Sequence, residues 1–204
     1  MNFPAFFDQA PKIQVHDPLS EFLSAVDGGR IEYGYADAVR LAGHSCPTVA
    51  GAYLMARAGL RALFPDGPAE RGGVAVTMSA GETDGTTGVI AQVFTLLTGA
   101  AANNGFHGIG GRFVRSGLLR YGGGRQDCIA EFRRTDRGAG VRLALDFSSV
   151  PPAPQMRMLM GQALAPEASA DVRRAFGEVW QERVRRLLLD HADDPAVILV
   201  TACA

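Results

Sequence analysis

Apolar residues recur along this chain at two different spacings, and the spacings mark out its elements. After Pro47, the residues Val49, Tyr53, Ala56, Leu60 and Leu63 or Phe64 return every three or four positions, which is one face of a helix. An earlier stripe of Leu19, Phe22, Leu23 and Val26 predicts a first helix. Asp17 caps it, Pro18 fits its first turn, and Gly28-Gly29 stop it. Ile31, Tyr33 and Tyr35 alternate like a short strand, and residues 36–41 form a brief helix leading to Gly43. Pro65-Asp66-Gly67-Pro68 breaks the chain. Val74 to Met78 then reads as a buried strand, followed by a helix from Val89 to Thr98.

From Gly117 the texture turns to strands: Leu118 to Tyr121, Cys128 to Arg133, and Val141 to Phe147. Thr135 to Gly140 makes a hairpin connection between the last two. Val150-Pro151-Pro152-Ala153-Pro154 marks a boundary. Beyond it, Met156, Leu159, Met160 and Leu164 suggest a short helix. A longer one carries Val172, Phe176, Val179 or Trp180, Val184 and Leu187 or Leu188 on one stripe, with its arginines mostly opposite. The expected fold is α+β. Residues 1–150 form an antiparallel sheet packed with a central helix, and 151–204 form a C-terminal helical arm laid on the core or on a dimer partner.

The chemistry concentrates at Gly43-His44-Ser45-Cys46-Pro47. Proline suits the first helical position and pushes the residue before it toward extended geometry. Cys46 is therefore the cap of the central helix, facing unpaired N–H groups and the positive end of the dipole. If residues 44–46 are extended, His44 and Cys46 point the same way and can converge on one metal ion. The plainer reading is a turn with a buried histidine and a small apolar cysteine. A Cys46–histidine nucleophile is the rival chemistry.

Other candidates lie farther off. His16, in extended chain just before the Asp17 cap, is the preferred remote third ligand. Glu82 and Asp84 sit in the polar loop Ala80 to Gly88, at the carboxyl end of a buried strand. Either can complete a coordination sphere or act as a general base; the alternative is plain capping of the next helix by Thr86 or Thr87. The glycine-rich stretch Phe106 to Arg112 allows close backbone approach, and Arg112 and Arg115 are positioned to meet an anionic group.

Composition removes several classes. The 204 residues are 47% hydrophobic and 20% charged, ordinary for a globular chain, and a net charge of −1 argues against an electrostatic nucleic-acid binder. No apolar run approaches the ~18 residues of a membrane span. The first residues lack the basic and long apolar regions of a signal peptide, so a cytoplasmic location is expected. Cys46, Cys128 and Cys203 are odd in number and widely spaced, which leaves no disulfide framework and no CxxC zinc finger. Lys12 is the only lysine and lies near a terminus, which argues against Schiff-base chemistry. There is no dinucleotide fingerprint, P-loop, G-x-S-x-G elbow or HExxH.

Gly43-His44-Ser45-Cys46-Pro47 and the helix that follows resemble the G-H-x-C-P signature of the FmdE-like family, named for a component of formylmethanofuran dehydrogenase. So do Thr87-Gly88-Val89-Ile90-Ala91-Gln92, Leu97-Thr98-Gly99 and the arginine-rich strand from Phe132 to Gly138. The resemblance runs from about Asp37 to Asp146. It implies an α+β core, a metal site, commonly zinc, using His44 and Cys46, and a homodimer. Ala42 stands where many members carry a histidine, a cysteine common in the polar loop is replaced, with Thr87 nearby, and the C-terminal CxxC module of several members is missing. The implied ligand set is then His44 and Cys46, completed by His16, Glu82 or Asp84, with a position open to water or a small molecule. The alternative is a non-catalytic accessory or sensing component of an oxidoreductase complex, docking through its C-terminal helices.

Overall fold

The computed structural model describes residues 2–203. In chain order it contains α1 (Phe6–Gln9), β1 (Ile13–His16), α2 (Pro18–Phe22), β2 (Arg30–Tyr33), α3 (Tyr35–Ala42), α4 (Pro47–Leu63), β3 (Ala69–Glu70) and β4 (Val74–Met78). Then follow α5 (Thr87–Thr98), β5 (Leu119–Arg120), β6 (Ala130–Arg134), β7 (Gly140–Leu145), α6 (Met156–Ala163), α7 (Ala170–Arg185) and β8 (Ile198–Cys203). A short π-helical turn over Arg186–Asp190 extends α7. The α+β class stands, with two mixed sheets. No helix among the described residues is long and apolar enough to cross a membrane.

α4 is the axis of the core. It begins at Pro47 and ends at Leu63, as the periodicity predicts. Its first half is buried all round rather than on one face: Val49, Ala50, Ala52, Tyr53, Leu54, Met55 and Ala56 have no exposed surface. The reason is that α4 packs against β6, β7 and β8 as well as against α5 and α7. Gly51 and Gly59 let the sheet come close. A Cβ at position 59 would stand 3.0 Å from Leu143 and 3.1 Å from Phe132, and one at position 51 would overlap Leu145. Phe94 of α5 meets Phe132 edge-on at 4.9 Å between ring centroids, closing the core on that side.

The larger sheet has the order β5-β4-β6-β7-β8. Its β4-β6-β7-β8 part is antiparallel, as expected, whereas β5 joins β4 in parallel. The smaller sheet, β2-β1-β3, is likewise mixed, with β3 parallel to β1.

Two expectations need correcting. The C-terminal segment is not helical throughout: Ile198 to Cys203 pair with Leu145 to Gly140 as an edge strand. A short apolar run of this kind carries no periodicity that separates strand from helix. The first helix stops at Phe22 instead of running to Gly28. Ser24 takes a left-handed conformation (φ 52°), and Phe22, Leu23 and Val26 are exposed.

Candidate functional site

The motif at the start of α4 is a corner between two helices. α3 ends on Gly43, in the left-handed conformation (φ 74°), whose N–H donates to the Val39 carbonyl at 2.9 Å. Cys46 is extended (φ −151°, ψ 167°), and Pro47 is the first residue of α4. The Cys46 sulfur accepts from the Val49 N–H at 3.4 Å and so serves as the helix cap. Only 9% of Cys46 is exposed.

His44 is exposed, and its Nδ1 lies 3.0 Å from the Ala42 carbonyl. A carbonyl oxygen can only accept, so this bond puts the proton on Nδ1 and leaves the lone pair of the neutral ring on Nε2. That tautomer and restraint are typical of metal-ligating imidazoles.

Ser45, between them, is held at both ends by residues remote in sequence. Its hydroxyl bonds to the Tyr35 hydroxyl at 3.0 Å and donates to Gln181 Oε1 at 2.9 Å. Its carbonyl accepts from Trp180 Nε1 at 3.0 Å and from Gln181 Nε2 at 3.2 Å. Burial pushes the Tyr35 hydroxyl well above the ordinary phenol range, so it stays protonated and able to donate. Trp180 belongs to the expected apolar stripe of α7. Nothing in its spacing indicates that its indole N–H, with Gln181, clamps the motif.

Among the described residues, none of the other predicted residues hydrogen-bonds to this corner. His16 ends β1, and its Nε2 pairs with Glu21 Oε2 at 2.8 Å. Asp84 folds back on its own loop, where Oδ2 accepts from the Gly81 N–H at 2.9 Å and the backbone carbonyl accepts from Thr87. Glu82 lines a cleft of about 450 Å³ together with Leu41, Arg71, Gln92, Asn104 and Tyr121. Burial, and then the charge of Glu82, raise the Tyr121 hydroxyl. Leu41 sits in the last turn of α3, just before the motif. Among the described residues, no group of three or more His, Cys, Asp or Glu side chains is arranged to hold a metal ion.

A polar cluster that sequence reasoning treats only in pieces holds the most deeply buried charges among the described residues. Asp17 is 4% exposed. Its Oδ1 accepts from the N–H groups of Leu19 and Ser20, capping α2, and from Arg115 Nη2 at 2.8 Å. Its Oδ2 accepts from Arg71 Nη1 at 2.8 Å. Burial opposes ionisation of Asp17, but these hydrogen bonds and the two guanidinium charges outweigh it, and the carboxyl titrates below its usual range. Asp17 is legible as a cap; its arginine partners are not. Compared with known proteins, the chain matches no family model and no curated protein.

Proposed function

We propose that this chain is a metal-binding protein of the FmdE-like kind, related to a component of formylmethanofuran dehydrogenase and acting in the cytoplasm as a homodimer. A divalent transition ion, zinc by preference, is held through His44 Nε2 and Cys46 Sγ. The observation that carries this reading is the Nδ1–H bond of His44 to Ala42, which leaves Nε2 free to ligate, two residues before the thiol that caps α4. One imidazole and one thiolate suit a borderline-soft ion such as zinc.

Two donors fit such an ion but do not close its coordination. The other positions go to water, a small molecule or a further side chain, and His16 would join only by leaving Glu21. An open position is the mark of a site that binds or activates a ligand rather than one that only braces a fold. Bound there, the metal supplies Lewis-acid chemistry. Of the two acidic candidates, Glu82 is better placed to act as a base, because it faces a cleft whereas Asp84 is consumed in its own turn.

The reading as an accessory component has one observation in its favour. α6 and its C-terminal cap leave Met158 and Leu164 exposed, at 57% and 77%, an apolar surface that a partner chain would cover.

Elemental analysis of purified protein tests the metal reading. The native chain is expected to carry near-stoichiometric metal, and His44→Ala and Cys46→Ala are expected to lose it. Equal content in all three would refute the assignment.

A further inference from the structure

The glycine-rich stretch that ends at Arg112 leads into the wall of a second cleft. Its volume is about 390 Å³, and its walls include Pro18, Glu70, Arg71, Arg112, Phe113 and Arg115. That is enough room for a small metabolite. Ile109 and Arg112 bond each other through both backbone pairs, at 2.9 and 3.0 Å, around Gly110 (φ 55°) and Gly111 (φ 76°). Two successive positive φ values are what a tight two-residue hairpin turn demands, and glycine meets that demand. The turn presents Arg112, whose guanidinium lies 4.9 Å over the Phe113 ring.

Phe113 itself has φ 62°, a conformation that a bulky residue seldom adopts. Its ring is braced by Phe22 at 5.2 Å. Such strain tends to persist where a side chain must be aimed.

The charges in this cleft do not balance. Three arginines face it, against Asp17 beneath and Glu70 on the wall. Asp17 is shared between Arg71 and Arg115, and among the described residues Arg112 has no carboxylate partner. Arg115 is 6% exposed, and its buried Nε meets no acceptor. Gly72 (φ 88°) makes room for it, since a Cβ there would overlap the guanidinium.

We propose that this cleft is a binding site for a small oxyanion, the phosphate or carboxylate group of a metabolite. Arg112 grips it from the hairpin, Arg115 and Arg71 supply positive charge held in place by Asp17, and Phe113 forms the wall for the rest of the molecule. Planar guanidinium groups match both oxyanions. Arg71 also lines the cleft that contains Glu82, so the two clefts share a wall. The site does not depend on the metal.

Isothermal titration of the full chain with inorganic phosphate, acetate or chloride, at one ionic strength, tests this directly. Saturable binding of phosphate or acetate below ~10 mM, with none for chloride, is expected, and the stronger of the two names the source. Arg112→Ala removes an exposed group and should weaken binding roughly tenfold or more, as loss of a charge-assisted contact does. Glu70→Gln removes a competing charge and should tighten it roughly twofold. Both variants should keep the native unfolding midpoint. Heats equal to those of chloride, or an affinity unchanged in Arg112→Ala, would overturn the proposal.

Discussion

The corner at Gly43–Pro47 and the cluster around Asp17 are both polar sites at helix N-termini, yet they are built in opposite ways. At the corner, His44 and Cys46 are two residues apart, and the partners of their side chains, Ala42 and Val49, are local. Remote residues, Trp180 and Gln181, only steady the peptide between them. In the cluster, both ion pairs are remote: Arg71 and Arg115 lie 54 and 98 residues from the carboxylate they share. The first arrangement can lose its chemistry and keep its fold. The second holds three chain segments together, and its chemistry and its stability are the same contacts.

The largest effect should come from breaking the cluster. Asp17→Ala leaves Arg115 buried without its carboxylate and removes the α2 cap, so a loss of about 3–5 kcal/mol in denaturant unfolding is expected. Gly72→Ala should cost roughly 2–4 kcal/mol, because a left-handed backbone and an overlap with Arg115 act together. Ser45→Ala, measured the same way, should cost about 1–3 kcal/mol by stranding Gln181 and Tyr35.

Acid titration separates the two regions further. The Asp17 carboxyl is depressed in the folded protein, so its contribution is complete above the ordinary carboxylate value of about 3.9. It is lost as the pH falls below that value through the folded pKa. The unfolding free energy of the native chain should drop over that interval more steeply than that of Asp17→Asn; parallel curves would remove the linkage. His44→Ala should change stability little, within about 0.5 kcal/mol for an exposed side chain. Metal content should nevertheless collapse in that variant, which would mark the corner as a site rather than a brace.

The same contrast explains what can be read from the sequence. Pro47, the spacing from Val49 to Leu63, and the cap at Cys46 are local, and the structure shows all three. The β6–β7 hairpin is legible for the same reason, since its connection and both strands are contiguous. β8 is not, because its short run takes strand form only when β7 offers an open edge. Nor is the outward turn of Phe22 and Leu23, whose stripe implies a buried helix; Phe22 instead braces Phe113, far along the chain. Within the candidate site, the tautomer of His44 and the clamp on Ser45 depend on Ala42, Trp180 and Gln181. The hydrophobic pattern says where such residues lie, not what their polar atoms reach.

The most direct test of the His44–Cys46 pair is cobalt substitution followed by optical spectroscopy. Joint ligation predicts a sulfur-to-cobalt charge-transfer band in the near ultraviolet, absent from Cys46→Ala and shifted or weakened in His44→Ala. Cobalt that binds the native chain without that band would show that the thiol does not hold the ion, and would contradict the claim.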